Sequence, residues 1–321
     1  MSDVSLRSLG SSDLLVSTVG LGCNNFGRRG TITEDQRGTD AVIFAAIDAG
    51  ITLFDTADMY GGAPAESETM MGKSLRGTRD QIVLATKFGH ADFPMPGTEE
   101  YGAKGGAQYI RFALEASLRR LQTDWIDLYQ LHTPDPQTPI AETLEALAEH
   151  VQAGKIRYIG HSNFSAEQIA EAADAARDLG LPAFVSAQSE YSLLRREVER
   201  EVLPAVSQYG LGFLPYFPLF NGLLTGKYTR EGRPADARLT KLKPQILEDV
   251  NWSVLEEYQR IADRFGVSML EATFAWLLAQ PTVSSVIAGA TSAEQIRTNA
   301  AAGTVVLPLE AVEEITALFK A

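Results

Sequence analysis

Cysteine is almost absent from this chain. Cys23 stands alone among 321 residues, so neither an intramolecular disulfide nor a cysteine-based metal cluster can form. Histidine is scarce too. His90, His132, His150 and His161 are the full complement, and with no His-Glu-x-x-His motif they leave little for a metal centre. Basic residues are outnumbered, with 28 Lys and Arg against 41 Asp and Glu, giving a formal charge of −13. That balance repels phosphate backbones and anionic lipid, and it argues against general nucleic-acid or membrane-surface binding. No apolar window approaches the ~20 residues of a membrane span, and the opening MSDVSLRSLGSS has no apolar signal core. A soluble cytoplasmic protein is the expectation. With 45% hydrophobic and 21% charged residues, 27 Gly and 14 Pro, the composition is that of an ordinary globular protein, so disorder and collagen-like repeats are excluded.

Glycine-based phosphate motifs are also missing. Gly20-Leu21-Gly22 lacks the third glycine of G-x-G-x-x-G, because Asn25 holds that position. Gly72-Lys73-Ser74 has Ser67 where a P-loop needs its first glycine. Gly226-Lys227 is followed by Tyr228 and preceded by Asn221 at the corresponding place.

What the chain does have is alternation. Short β-rich runs occur at Ser17–Gly22, Ile51–Phe54, Ile82–Thr86, Ile126–Leu131, Ile156–Gly160, Ala183–Ala187, Leu211–Pro215 and Val283–Ile287. Several are continuously apolar, the pattern of parallel strands buried on both faces. Helix patterns lie between them. Ile140, Leu144, Leu147 and Val151 mark one face of a helix opened by Thr138 with Pro139 at its first position. Ser165-Ala166-Glu167-Gln168 and Ser292-Ala293-Glu294-Gln295 both fit a capping box. Gln108–Leu121, Val198–Tyr209 and Val254–Phe265 read as helices as well. Such alternation implies a parallel sheet, either open and doubly wound or closed. Eight repeats without a composition break favour an α/β fold of the closed kind, a (β/α)8 TIM barrel forming a single domain over residues 1–321. Leu6–Leu9 and Leu14–Val16 flank Gly10-Ser11-Ser12-Asp13 and predict an N-terminal β-hairpin able to plug the bottom of the barrel. Two connections, His90–Ala107 and Phe217–Val250, are long enough to be lids or binding loops.

A (β/α)8 barrel places its active site at the C-terminal ends of the strands. The residues that follow the apolar runs are Asp55, Lys87, His132, then His161, Ser162 and Asn163, then Gln188 and Tyr216. An acid, a lysine and a histidine at three neighbouring strand ends suggest a site, since buried charges are costly unless used or paired.

Here the residues resemble a known family. Gly50-Ile51-Thr52-Leu53-Phe54-Asp55-Thr56-Ala57-Asp58-Met59-Tyr60-Gly61, followed by Ser67-Glu68, is similar to the aldo-keto reductase signature. Leu84-Ala85-Thr86-Lys87 and Asp127-Leu128-Tyr129-Gln130-Leu131-His132 add to it. The likeness runs from the N-terminal hairpin to about Asn299, in the branch that includes bacterial enzymes and potassium-channel beta subunits. It implies a metal-free barrel that reduces aldehydes or ketones with NADPH, and a catalytic tetrad of Asp55, Tyr60, Lys87 and His132. The chemistry is coherent. Hydride transfer to a carbonyl needs a proton for the developing alkoxide. Tyr60 can supply it, Lys87 is expected to lower its pKa, Asp55 compensates the lysine, and His132 orients the substrate oxygen.

The resemblance also implies a cofactor site. Gly22, Cys23 and Asn24 end the first barrel strand. Ser162, Asn163 and Gln188 match carboxamide-binding positions, and Tyr216 matches the residue stacked on the nicotinamide. The stretch through Phe217, Pro218, Leu219, Asn221, Gly222, Leu224, Gly226 and Lys227 looks like the pyrophosphate loop. Gly289, Thr291, Gln295 and Asn299 match the adenosine end, at a helix N-terminus suited to phosphate. Many members carry Lys or Arg near position 291, where this chain has Thr291 and Gln295. Lys227 and Arg238 are expected to take the 2′-phosphate instead, with NADPH favoured and NADH possible. They lie in a basic island, six Lys and Arg (Lys227, Arg230, Arg233, Arg238, Lys241, Lys243) against Glu231 and Asp236. Asn25, Phe26, Met59, Phe88, Phe93 and Phe220 are expected to line a mostly aromatic substrate pocket. A Schiff-base aldolase using Lys87 as nucleophile, and a slow-turnover NADP(H)-binding regulatory or redox-sensing subunit, remain as rival readings.

Overall fold

The computed structural model describes residues 4–93, 95, 100–235 and 237–320. Among these residues there are ten strands: β1 (Leu6–Ser8), β2 (Leu15–Ser17), β3 (Val19–Gly22), β4 (Leu53–Asp55), β5 (Val83–Phe88), β6 (Ile126–Leu131), β7 (Ile156–Ser162), β8 (Ser186–Glu190), β9 (Gly212–Tyr216) and β10 (Val286–Gly289). Strands β3 to β9 pair in chain order and in parallel, with β10 beside β3. Val283, just before β10, bridges Phe213 of β9 in parallel and closes the ring through Phe213 N–H to Thr282 O and Ser284 N–H to Phe213 O. The fold is the expected (β/α)8 barrel.

The outer layer begins with α1 (Gln36–Asp48), α2 (Glu66–Ser74), α3 (Ala107–Leu121), α4 (Ile140–Gln152), α5 (Ala166–Leu179) and α6 (Val202–Gln208). It continues through α7 (Arg238–Leu242), α8 (Pro244–Glu248), α9 (Trp252–Arg264), α10 (Met269–Leu278), α11 (Ala293–Ala302) and α12 (Leu309–Leu318). No helix among the described residues is long and apolar enough to cross a membrane. Residues 94 and 96–99 of the first long connection, and Asp236 of the basic island, lie outside the described residues.

The hairpin of β1 and β2 caps the barrel from below. Leu9 and Val16 are fully buried and pack with Leu53, Ala85, Leu128, Leu214 and Ile287 from five strands. Each such side chain contributes about 1.5–3 kcal/mol by burial. Gly10 sets the turn. Its φ of 61° is in the left-handed region, and a β-carbon there would lie 2.4 Å from Gly210 O.

Strand boundaries move where polar residues belong to the sheet. The sixth and eighth β-rich runs, Ala183–Ala187 and Val283–Ile287, predict strands there, yet β8 lies three residues later and β10 starts three residues later and ends two later. The polar Gln188-Ser189-Glu190 segment still pairs with β9, and Glu190 lies opposite Tyr216. Pro139 occupies the N-cap of α4 rather than its first turn. The capping box at Ser165 is complete, whereas at Ser292 only the serine half forms.

His161 does not face the barrel mouth. It is fully buried outside the strand ring, stacked on Phe164 with centroids 4.3 Å apart and edge-on to Phe184 at 5.2 Å. Neither ring nitrogen has a partner among the described residues, and burial pushes its pKa down to about 3. The unfolded chain takes up a proton below about pH 6.5 that the folded one refuses. Stability therefore falls as pH drops through that range, by about 2 kcal/mol at pH 5. His161→Phe should remove this loss, so its denaturation midpoint gains over the parent at pH 5 but much less at pH 8. Equal gains at both pH values would contradict the assignment.

Candidate active site

Strand alternation builds the site. Leu53, Ala85 and Leu128 point into the barrel in the layer above the hairpin, so Asp55, Lys87 and Gln130, two residues on, form the next layer up. The same alternation sends Phe88 outward. It is buried against Tyr129, stacked at 4.6 Å, and is not available as a pocket wall. Phe26 is likewise fully buried. The expected aromatic lining thus loses two members to the core.

Lys87 is completely buried and Asp55 nearly so. Lys87 Nζ donates to Asp55 Oδ2 at 2.7 Å and to Thr56 O at 2.9 Å, and stands 3.5 Å from Tyr60 Oη. Asp55 Oδ1 accepts from Gln130 Nε2 at 3.3 Å and from Gln188 Nε2 at 3.1 Å. Both carboxylate oxygens are therefore engaged, as a buried charge requires. Tyr60 comes from the turn after β4, held by Tyr60 N–H to Ala57 O, Asp58 N–H to Lys87 O and Ser67 N–H to Tyr60 O. His132 packs edge-on against Tyr60 with centroids 5.8 Å apart. The four residues singled out from the sequence meet in one cluster.

Electrostatics refine that picture. Burial raises the Tyr60 pKa, and the nearby Lys87 charge opposes this without reversing it. The expected downward shift is absent because desolvation of the phenolate outweighs the lysine, with Asp55 adding to the rise. Burial alone would push Lys87 down, but Asp55 and Tyr60 more than offset it and its pKa rises. His132 is pushed well below its ordinary value by burial, then by Lys87, His90 and Lys104, so its ring is neutral; its Nδ1 has no partner among the described residues. Asp58, nearly fully buried, is pushed up to about 7 by burial and by Glu68. Glu68 itself accepts from Thr86 Oγ1 and Arg120 Nε, which makes the Ser67-Glu68 pair part of the framework.

The stretch after β9 is strained. Phe217, Phe220 and Asn221 adopt φ of 52°, 45° and 57°, and Gly222 and Gly226 continue at 91° and 81°. Three non-glycine residues in that region cost of order 1–3 kcal/mol each, a concentration typical of ligand clamps. A β-carbon at Gly222 would lie 2.8 Å from Lys227 Nζ, so the glycine leaves room for the amine. Pro218 and Leu219 begin the turn, with Gly222 N–H and Leu224 N–H both donating to Leu219 O. Leu224 is buried in the core and its carbonyl accepts from Thr273 Oγ1 at 3.4 Å, so it holds the loop against α10. Asn221 Oδ1 and Arg238 Nε are buried without partners among the described residues. The Arg238 pKa is lowered to about 10, first by burial and then by the charge of Arg28. No carboxylate among the described residues pairs with either guanidinium. Two desolvated cations close together fit a phosphate-bearing ligand.

Other expected contacts have different occupations. Gln188 spends its Nε2 on Asp55. Asn163, at φ 64°, donates to His132 O and Ser162 Oγ while Tyr216 Oη donates to its Oδ1 at 2.9 Å. Ser162 Oγ donates to Gln188 O. Cys23 is buried with Sγ directed at Leu21 O, between half-buried Asn24 and Gly22. Gln295 Oε1 accepts from Thr291 N–H at 2.8 Å and so holds the turn before α11. Gly289 lies beside Asn25, and Asn299 is buried in α11. Sequence reasoning passed over Gln130 and Arg28. Gln130 was legible as the residue two before His132 on the same strand face, whereas Arg28 carried no motif.

A closed barrel whose mouth holds a buried Asp–Lys–Tyr cluster beside a neutral imidazole defines an oxidoreductase acting on carbonyl or alcohol groups. The chain belongs to the aldo/keto reductase family, which it matches over residues 18–320. Among its relatives, the L-glyceraldehyde 3-phosphate reductase of Escherichia coli K12 is 35% identical over 306 residues, 91% of this chain and 86% of that one. A probable voltage-gated potassium channel subunit beta of rice, Oryza sativa subsp. japonica, is 36% identical, covering 97% and 95%. The aldo-keto reductase YhdN of Bacillus subtilis is 36% identical, covering 96% and 88%.

Proposed function

We propose that this protein is an NADPH-dependent reductase of aldehydes and ketones, with Tyr60 as the proton donor and Asp55, Lys87 and His132 completing the tetrad. The observation that carries this reading is the buried contact of Lys87 Nζ with Asp55 Oδ2 at 2.7 Å and Tyr60 Oη at 3.5 Å. The residues of the strained loop would hold a nicotinamide dinucleotide, which when bound would supply the hydride. The remaining steps belong to the protein. His132, neutral, donates to the carbonyl oxygen and fixes its direction. Tyr60 stays protonated at neutral pH because its pKa is raised, and it gives up the proton only as alkoxide charge develops. Lys87 stabilises the phenolate left behind, and the amides of Gln130 and Gln188 hold Asp55 so that the lysine stays charged. We read the whole chain as one cytoplasmic domain of this kind. The direct test follows absorbance of the reduced cofactor while a panel of simple aldehydes is added. Cofactor binding without turnover of any of them would favour the regulatory-subunit reading instead.

The 2′-phosphate role proposed for Arg238, assisted by Lys227, predicts a selective loss. Arg238→Gln should weaken NADPH binding by about tenfold, the scale of one charge-assisted contact. NADH binding should change by less than about twofold. Titration of protein fluorescence with each cofactor checks this, and equal losses for both would remove the assignment.

A further inference from the structure

The turn that carries Tyr60 also carries a buried acid that the chemistry above does not use. Asp58 follows β4, is 2% exposed, and donates its N–H to Lys87 O at 3.0 Å. That bond fastens the Tyr60 turn to the strand that brings Lys87. Behind the turn the Asp58 carboxyl feels the charges of Glu68 on α2 and Arg120 on α3. It acts in turn on two buried phenols, Tyr109 of α3 and Tyr129 of β6, whose pKa values it helps to raise. Lys104, from the connection before α3, is a further charge that reaches it.

The cations near Asp58 are already engaged. Glu68, fully buried, takes the guanidinium, with Arg120 Nε and Nη2 both 2.7 Å from its Oε2. Arg120 Nη2 also donates to Ser117 Oγ at 3.2 Å, and Glu68 Oε1 accepts from Thr86 Oγ1 at 2.6 Å. The Lys104 ammonium donates to His90 O and Ala91 O. Asp58 keeps the support of the Gly89 N–H, and its Oδ1 has no partner among the described residues. Two buried carboxyl groups thus stand beside one guanidinium, and Glu68 holds it. A charged carboxylate with an orphaned oxygen is expensive in such a place, and a protonated one is much less so. The proton of the cluster therefore belongs to Asp58. It leaves at about pH 7, because burial and Glu68 push the group up against Arg120, the Gly89 N–H and Lys104.

We propose that Asp58 is a positioning residue for proton transfer: as the unpaired member of a two-carboxyl, one-guanidinium cluster it stays protonated, so that no negative charge stands behind Tyr60 when the phenol gives up its own proton. Once Asp58 ionises, its charge opposes the phenolate and Tyr60 becomes a weaker acid. Reduction then slows, although every contact of Lys87 with Asp55 and Thr56 O is kept. Asp58 exchanges no proton with the substrate and acts through Tyr60 alone. The inference rests on the carbonyl-reductase reading above.

The experiment follows single-turnover oxidation of the reduced cofactor by propanal, which isolates the chemical step, between pH 5 and pH 8. In the parent the rate should fall about threefold through neutrality and then level off, the effect of about one pKa unit at Tyr60 half-transmitted to the rate. Asp58→Asn keeps the shape of the side chain and the N–H bond to Lys87 O but cannot ionise. Its rate should stay at the parent's low-pH value throughout, with cofactor affinity and KM unchanged. Glu68→Gln removes the competing carboxylate and frees Arg120 for Asp58, so the fall should move about one pH unit or more lower. Infrared difference spectra of the protein alone, between pH 6 and pH 8, should show a protonated-carboxyl band that Asp58→Asn lacks. A parent rate without the fall, a fall that survives Asp58→Asn, or a parent without that band overturns the proposal and leaves the reductase reading intact. A parent that binds the cofactor but turns over no aldehyde overturns both.

Discussion

Tyr60→Phe is expected to lower kcat for carbonyl reduction by about 10³-fold, within the 10²–10⁴ range that a positioned general acid contributes. Cofactor affinity and folding should be nearly unchanged. The substitution removes one oxygen and leaves the ring that packs edge-on against His132. Among the described residues the phenol's only polar contact is the long one to Lys87, at 3.5 Å, so its loss leaves no buried partner there stranded. Lys87 keeps Asp55 and Thr56 O. KM should stay within a few-fold, since His132 still binds the carbonyl oxygen, and the loss then belongs to the transition state. The pH dependence is a second signature. Reduction needs the phenol protonated, and burial raises its pKa above the ordinary value. The parent's kcat should therefore show no fall from this group up to about pH 9. Full activity in the variant would remove Tyr60 from the chemistry. A folded variant that no longer binds the cofactor would show that the phenol holds the dinucleotide rather than the proton.

Several elements of this site were legible because strand alternation and charge obey simple rules. Asp55, Lys87 and His132 follow β-rich runs at neighbouring strand ends, and a closed barrel has nowhere to aim them but its mouth. His161 and Phe88 show the limit of that rule. A residue at a strand end points inward or outward by parity, and one position of error exchanges the mouth for the helix layer. His161 went to the aromatic cluster of Phe164 and Phe184, and Phe88 went to Tyr129. The end of β8 lies beyond the apolar run for a related reason. Gln188, Ser189 and Glu190 are polar, so hydropathy ends the run before them, but their main chain still pairs with β9. Desolvation was the least legible quantity. The sequence places a lysine near a tyrosine, but only the packed structure shows that burial of the phenol outweighs that lysine. Arg28 is the counterpart, since its closeness to Arg238 depends on two loops that only the closed barrel brings together.

Asp55→Ala should destabilise the fold by about 3–5 kcal/mol, because it leaves a fully buried ammonium without its counter-charge. Thr56 O and the more distant Tyr60 Oη are the acceptors that remain to Lys87. The amides of Gln130 and Gln188 lose their acceptor as well. Without Asp55, burial has no strong opponent at Lys87. The lysine pKa falls and the cation that would stabilise the Tyr60 phenolate is lost near neutral pH. Stability and activity therefore drop together in this variant, and a second substitution separates them. Lys87→Met in the Asp55→Ala background removes the stranded charge and fills its volume, and it should recover more than half of the lost stability. Activity should not return, because the chemistry needs the cation itself. Urea denaturation of the parent, single and double variants measures the first effect, and aldehyde turnover measures the second. A single variant less than about 1 kcal/mol below the parent would mean that water or another group already neutralises Lys87. A double variant that regains turnover would mean that the pair is structural and that the proton leaves Tyr60 without its help.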